Sequence, residues 1–121
     1  MIDFSLLESI IRLEFADIVL DVILIDNKLR IILIDLSYVD FWWSEVKSGR
    51  FAHHWQRGHI DGKIYRHDNA PHEKWKSIST FPQHFHCKDE NSVKESYLSQ
   101  SPEEAVRKFL SFCRKILKGM G

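Results

Sequence analysis

Histidine is the residue of this chain whose spacing points most directly to chemistry. All seven histidines lie between His53 and His86. Imidazole can accept or donate a proton near neutral pH, and it is also the commonest metal ligand in proteins. A fold has no general need to concentrate this residue. The stretch from 53 to 86 is therefore predicted to hold the functional site, and the flanking segments are predicted to act as scaffold.

Three short motifs carry six of these histidines. Side chains two residues apart on an extended segment point to the same side. His84 and His86 should therefore share a face, where they could aim two imidazoles at one point or bind a metal ion. The motifs are HHWQR at residues 53–57, RHDNAPH at residues 66–72 and TFPQHFH at residues 80–86.

The same alternation of side chains along a strand applies to the first motif. Trp55 is expected to pack in the core, because large aromatic side chains dominate protein cores. If it does, His54 faces the open side of the sheet. His53 and Arg57 are then expected to be polar groups at the edge of the strand.

Two chemistries compete for these motifs. In the first, one imidazole takes the proton of a ribose 2′-OH, a second protonates the leaving oxygen, and an RNA phosphodiester is cleaved. Arg57 or Arg66 would hold the phosphate, since a guanidinium group matches phosphate oxygens with paired donors. This chemistry needs no cofactor.

In the second chemistry, a transition metal such as Zn²⁺ is bound and activates water at an open coordination position. The spacing matches neither HExxH nor paired CxxC, the common zinc signatures. The nearby arginines also suit a phosphate better than a cation, so the sequence favours metal-free chemistry. The candidate ligands are His54, Asp68, His72, His84 and His86.

The charge balance keeps a third alternative open, a binding module without catalysis. The chain has 17 basic and 17 acidic side chains and a formal net charge of zero. Because nucleic-acid affinity depends heavily on basic groups, any anion site must be a local cluster. The two cysteines stand apart and fit a reduced cytoplasmic setting. We find neither a signal peptide nor an uninterrupted membrane span.

The hydrophobic pattern predicts one domain over residues 1–121, of the α+β class. It would be a curved antiparallel β-meander of about five strands, with an N-terminal and a C-terminal helix packed on one face. Residues 69–87 are expected to form an ordered loop across one end of the sheet, and residues 88–99 a polar segment. The predicted strands are 18–25, 29–36, 38–47, Phe51–Arg57 and Lys63–Asp68.

The motifs also resemble the TumE-like proteins, small prokaryotic proteins regarded as toxins of toxin–antitoxin pairs. The resemblance covers most of the chain and is carried by Gly62, Arg66, 68–72, 80–82, His84 and His86. The sequence departs from the family pattern at three positions. His67 stands where Tyr is usual, Glu73 where a second His is common, and Gln83 in place of a His.

The resemblance implies a growth-inhibiting toxin that acts on RNA and is neutralised by an antitoxin with a helix-turn-helix domain. It supplies no mechanism, and it leaves self-association open. Together with the residue chemistry it gives two sets of expected site residues. The catalytic set is His54, Arg66, Asp68, His72, His84 and His86, and the substrate-binding set is Arg57, Tyr65 and Asn69, with no metal.

Overall fold

An antiparallel sheet of seven strands in chain order forms the frame of the protein. The computed structural model describes residues 1–119. A 3₁₀ turn, Glu73–Trp75, lies between the fifth and sixth strands. The remaining elements are α1 (Phe4–Glu14), β1 (Val19–Ile25), β2 (Lys28–Leu33), β3 (Tyr38–Trp43), β4 (Phe51–Arg57), β5 (Lys63–Asp68), β6 (His84–Lys88), β7 (Val93–Glu95) and α2 (Pro102–Leu117).

The predicted α+β class is confirmed, but the predicted strand number is wrong. The structure has seven strands rather than about five, because the segments expected to be loops contain β6 and β7. β6 alternates between the two faces, yet its open-face residues are histidines, so the apolar alternation that marks a strand is weak. β7 is only three residues long, too short to give a pattern.

Both helices pack on one face of the sheet and form the core with it. Phe109 of α2 lies edge-on to Phe41 with ring centroids 5.9 Å apart, and the ring of Phe112 contacts three strands. Within residues 1–119 none of the helices is long and apolar enough to cross a membrane. The buried core residues include Leu7, Ile11, Val39, Phe41, Trp55, Tyr65, Phe85, Val106 and Leu110.

The opposite face of the sheet, called the open face below, carries the intervening residues of each strand. Asp40 of β3 pairs with His54 of β4, His54 pairs with Arg66 of β5, and Arg66 pairs with His86 of β6. Antiparallel pairing keeps directly opposite residues on one side. A polar row therefore crosses the middle of the open face.

Candidate active site at the open end of β5 and β6

Strand register brings all three sequence motifs to one region of the open face. Asp68 lies opposite His84, and Arg66 lies opposite His86, in the β5–β6 pair. His54 of the first motif lies opposite Arg66 on the other side. The predicted convergence of the motifs is therefore present in the backbone pairing itself.

Asp68 is the centre of this cluster. Its Oδ1 lies 3.1 Å from Nε2 of His84, and its Oδ2 lies 3.0 Å from Nε of Arg66 and 3.7 Å from Nε2 of His86. The backbone N–H of Ala70 also donates to Oδ1, at 3.1 Å. The carboxylate is mostly buried, so these partners replace the water it would otherwise bind.

The contacts of His84 fix which of its ring nitrogens faces Asp68. Nδ1 of His84 lies 2.8 Å from the carbonyl oxygen of Pro82, which can only accept, so Nδ1 carries a hydrogen. In a neutral ring, Nε2 would then present a lone pair to the Asp68 carboxylate. A shared proton removes that repulsion. The imidazole and the carboxylate therefore form a close pair, 3.1 Å apart, beside the cleft described below.

His86, in contrast, points an unprotonated nitrogen, Nε2, toward Arg66 and Asp68. Its Nδ1–H donates to the carbonyl oxygen of Glu90 at 2.9 Å, and Nη2 of Arg66 donates to its Nε2 at 3.1 Å. Burial lowers the pKa of His86, and the positive charge of Arg66 lowers it further. His86 is therefore neutral near pH 7, as a general base must be.

Arg66 offers a forked pair of donors at the edge of the cluster. Nη1 donates to Oε1 of Glu90 at 2.9 Å, and Nη2 donates to Oε2 at 2.7 Å. Bidentate contact of this kind is also how guanidinium groups hold phosphate. Because the Glu90 side chain is 57% exposed, an incoming anion can reach the Arg66 fork from the solvent side.

A cleft of about 310 Å³ opens over this cluster. His84 and His86 lie on one side of it, and the 69–83 segment contributes the exposed His72 and the half-buried Trp75. Nδ1 of His72 accepts the backbone N–H of Lys74 at 3.2 Å and so caps the 3₁₀ turn. The residues that line the cleft and carry charge or imidazole are Arg66, Asp68, His72, Lys74, His84, His86 and Glu90.

His54 lies beside the cleft rather than in its lining. It is half-buried, opposite Arg66, and its Nε2 has no hydrogen-bond partner within residues 1–119. Burial lowers the pKa of His54, and Arg66 lowers it further. The ring is thus neutral and adjacent to the guanidinium group.

The structure places Arg57 and Tyr65 on the core face, away from the cleft. Arg57 is buried, donates to Asp35 at 2.6 Å and Asp61 at 3.0 Å, and lies over the ring of Trp55. Tyr65 stacks on Trp55 inside the core. Side chains alternate between the two faces of a strand, and Arg57 and Tyr65 therefore lie on the same core-facing side as Trp55.

Asn69 holds the chain rather than lining the cleft. Its Oδ1 accepts the backbone N–H of Phe51 at 2.9 Å, and its Nδ2 donates to the carbonyl of Gly49 at 2.7 Å. These bonds anchor the start of the 69–83 segment to the β3–β4 hairpin. The expectation of a substrate contact therefore gives way to a role in fixing the loop.

His53 is not the strand-edge polar group expected from the sequence. It is 1% exposed on the core face, stacked on Phe51 and packed against Phe41 and Trp43. His67 also faces the core and stacks on Phe85 at 4.1 Å. Neither ring reaches the cleft.

Sequence reasoning missed Glu90 and did not include Trp75 among the expected site residues. Glu90 reaches Arg66 because the β6–β7 hairpin folds back over β5, and that hairpin was not predicted. Trp75 lies with its ring centroid 6.2 Å from His84 and 5.8 Å from His86. The neighbouring lysine, Lys74, is a sequence feature that could have indicated a polar environment for Trp75.

Asp68, His84 and His86 could also hold a metal ion. One ligand atom from each residue lies within 4.8 Å of the others. Both histidines donate Nδ1–H to a backbone carbonyl, as metal-binding histidines commonly do. However, the Arg66 guanidinium contacts both Asp68 and His86, and its positive charge opposes a cation there. The arrangement suits proton transfer beside a bound anion better.

Comparison with protein families gives a match over nearly the whole chain. A family model described as Toxin TumE matches residues 8–117. The matched range contains every element from β1 to α2 and all the cleft residues. No curated protein and no solved structure matches the chain.

Proposed function

The chain belongs to the TumE toxin family, and from that premise we propose that it is a metal-independent ribonuclease. A toxin of a toxin–antitoxin system acts with an antitoxin partner. The observation that supports ribonuclease chemistry is the cluster in which Asp68 lies 3.1 Å from His84 and Arg66 lies 3.1 Å from His86. It combines a histidine–carboxylate pair, a neutral imidazole and a cation at one cleft.

In the proposed reaction, Arg66 positions the scissile phosphate. The two phosphate oxygens take the place of the Glu90 carboxylate on the guanidinium fork, which now makes bonds of 2.9 and 2.7 Å. Charge-assisted paired donors fix both the position and the orientation of the group. They also stabilise the charge that develops on the phosphate in the transition state.

His86 is the proposed base. Its Nε2 takes the proton of the ribose 2′-OH, and the 2′-oxygen forms a new bond to phosphorus. The Nδ1–H bond to the Glu90 carbonyl holds the ring so that Nε2 faces the cluster. In this proposal the bond from Arg66 Nη2 to Nε2 also breaks as the guanidinium group turns to the phosphate, and the lone pair is then free to accept the proton.

The pair of His84 and Asp68 is the proposed acid. Its shared proton goes to the 5′-oxygen as the bond between phosphorus and that oxygen breaks. The products are a 2′,3′-cyclic phosphate and a 5′-hydroxyl end, and the enzyme has gained one proton and lost one. Each of the two transfers contributes on the order of 10²–10⁴-fold to the rate.

The remaining expected site residues take supporting roles in this proposal. His72, on the other side of the cleft, donates from Nε2 to a phosphate oxygen, since its Nδ1 is occupied by the Lys74 N–H. His54 positions Arg66 from the neighbouring strand. The cognate antitoxin is proposed to carry a helix-turn-helix domain and to act with the toxin in the cytoplasm.

The proposal is tested with purified protein and RNA in excess EDTA. Cleavage should persist with the chelator and should be lost in His84→Ala and in Arg66→Ala. The matched control is His59→Ala, because His59 is exposed and bonds only the carbonyl of Leu36 at 2.8 Å. Intact RNA at high protein concentration would overturn the proposal.

The convergence of Asp68, His84 and His86 within 4.8 Å supports a second candidate, a metal-dependent nuclease. In that enzyme a divalent ion, not Arg66, would hold the phosphate and activate water. Elemental analysis of protein prepared without nickel resin separates the two. Stoichiometric zinc or manganese that disappears in His84→Ala, with cleavage abolished by EDTA, would favour the metal.

A further inference from the structure

We propose that Trp75 forms a subsite for one unpaired nucleobase, so that the substrate is single-stranded RNA. This inference rests on the proposed ribonuclease function, because it names the part of the substrate that lies next to the scissile phosphate. Trp75 lines the same cleft as Arg66 and the two open-face histidines. Bases stack on such rings in many single-strand-binding proteins, with little sequence preference.

The position of Trp75 relative to the cluster suits one nucleotide. Its ring centroid lies 5.8 Å from that of His86 and 6.2 Å from that of His84. A base on the indole therefore has its ribose next to the proposed base and its phosphate next to Arg66. The cleft, at about 310 Å³, is at the small end of the range for ligand sites, roughly 300–1,000 Å³.

The segment that carries Trp75 is held in place before any substrate arrives. The backbone N–H of Trp75 donates to the carbonyl of His72 at 3.0 Å, and the N–H of Ile78 donates to the carbonyl of Trp75 at 3.0 Å. The His72 imidazole caps the same turn through Lys74. A ring fixed in this way loses little conformational entropy when a base stacks on it.

The charge around Trp75 also fits a nucleotide. Nζ of Lys74 lies 5.0 Å from the centroid of the Trp75 ring, and Lys74 lines the cleft with Arg66. Lys74 lies over the Trp75 ring, and Arg66 lines the same cleft, so both cations are available to the phosphates of a bound nucleotide. In a protein with a formal net charge of zero, Arg66 and Lys74 are the cations of this cleft that can meet phosphates, and they share it with the carboxylates of Asp68 and Glu90.

Duplex RNA does not fit this subsite. In an A-form helix each base is covered by its neighbours, and its flat faces become available only when the strand is unpaired. The inference therefore predicts strong discrimination between single and double strands. It predicts little discrimination among the four bases, because each has a flat aromatic face.

The test measures binding separately from cleavage. A fluorescently labelled 2′-O-methyl oligonucleotide has no 2′-OH to react, and its anisotropy with wild-type protein reports affinity alone. Trp75→Phe keeps an aromatic face, and Trp75→Leu keeps apolar bulk without one. Binding to the single strand should stay within a few-fold in Trp75→Phe and fall about 5- to 150-fold in Trp75→Leu. The same oligonucleotide in a duplex should bind weakly to all three proteins.

A control variant and a second readout make each outcome decisive. Trp42, a half-buried tryptophan of β3, is not among the residues that line the cleft. Trp42→Phe should therefore bind as the wild type does, and quenching of tryptophan fluorescence by the oligonucleotide should disappear in Trp75→Phe but not in Trp42→Phe. Equal affinity of Trp75→Leu and Trp75→Phe, or equal affinity for single strand and duplex, would overturn the subsite. Stacking on Trp75 without cleavage of ordinary RNA would overturn the ribonuclease and leave the subsite standing.

Discussion

The two faces of the sheet use histidine in opposite ways, although the residues alternate along the same strands. His53 and His67 face the helices, where they stack on Phe51 at 4.8 Å and on Phe85 at 4.1 Å. His84 and His86 face the other side, where Asp68 and backbone carbonyls bind their nitrogens. The comparison shows that the neighbours of an imidazole, not its place in a motif, decide whether it packs against aromatic rings or binds a carboxylate and backbone carbonyls.

Electrostatics reinforces this division. Burial lowers the pKa of both His53 and His67 to about 3, and on that side no carboxylate offsets the burial. On the open face, Asp68 offers a negative charge to His84 at 3.1 Å. A ring that stays neutral throughout the physiological range can pack but cannot hold a proton for transfer.

The largest expected effect is a loss of cleavage rate, and its test compares one histidine from each face of the sheet. His86→Ala removes the proposed base and should lower kcat/KM for RNA cleavage by about 10²–10⁴-fold. His67→Phe should cleave near the wild-type rate, because a phenyl ring can take over the stack on Phe85. Initial rates at saturating and low RNA measure both. If His67→Phe loses as much activity as His86→Ala, the two faces do not differ in function.

The next comparison uses the two arginines that the sequence treated as equivalent. Arg66→Met should raise KM for RNA roughly 10- to 150-fold, since charge-assisted bonds contribute about 1.5–3 kcal/mol each. Arg57→Met should instead destabilise the fold, near the lower end of about 3–5 kcal/mol, because Asp35 and Asp61 keep some contact with solvent. Urea unfolding and steady-state kinetics separate the outcomes. A raised KM in a folded Arg57→Met would contradict the assignment.

The core-face histidines should also make the protein sensitive to acid. Between pH 6.5 and about 3 the unfolded chain binds protons at His53 and His67 that the folded protein does not. Stability should therefore fall as the pH decreases through that window, by up to about 1.4 kcal/mol per pH unit for each histidine.

Unfolding in urea at several pH values between 7 and 4 measures this slope. In His67→Phe, the decrease in stability per pH unit should be smaller by the contribution of one histidine. His59→Gln, a change at an exposed residue, should leave that decrease as in the wild type. An unchanged slope in His67→Phe would show that this ring titrates normally in the folded protein.

The smallest expected effect concerns Glu90. Its carboxylate occupies the Arg66 fork, so Glu90→Gln should improve RNA binding. An exposed ion pair is worth about 0.2–1 kcal/mol, which corresponds to a gain of about 1.5- to 5-fold. Glu45→Gln makes the same charge change on the exposed β3–β4 hairpin and should have little effect. Equal gains in the two variants would mean that net charge, not the fork, is responsible.

The alternation of side chains along each strand and the pairing of the strands explain how much of this site could be predicted from the sequence. Apolar alternation identified β4 and β5 with their observed bounds, and those strands place His54, Arg66 and Asp68 on one face. β6 was not predicted because its open-face residues are histidines. Histidine is a polar residue type, although these two are buried, so the segment shows no apolar alternation. The bidentate contact of Glu90 could not be predicted, since it depends on a hairpin of two short strands.

The position of Arg57 was missed for a related reason. An arginine on a strand that also contains Trp55 is expected at an edge, because a buried charge is costly. The structure compensates that cost with Asp35 and Asp61, which approach from separate loops. The pairing of Arg57 with Asp35 spans 22 residues and leaves no local pattern in the sequence.

The most direct test of the central claim is the chemistry of the RNA ends. Wild-type protein is incubated with a defined single-stranded RNA in excess EDTA, and the fragments are analysed by mass spectrometry. Proton transfer between the ribose, His86 and the His84–Asp68 pair predicts 2′,3′-cyclic phosphate and 5′-hydroxyl ends, and no cut at a position with a single 2′-deoxy sugar. Fragments with 3′-hydroxyl and 5′-phosphate ends, formed only when a divalent metal is added, would contradict it.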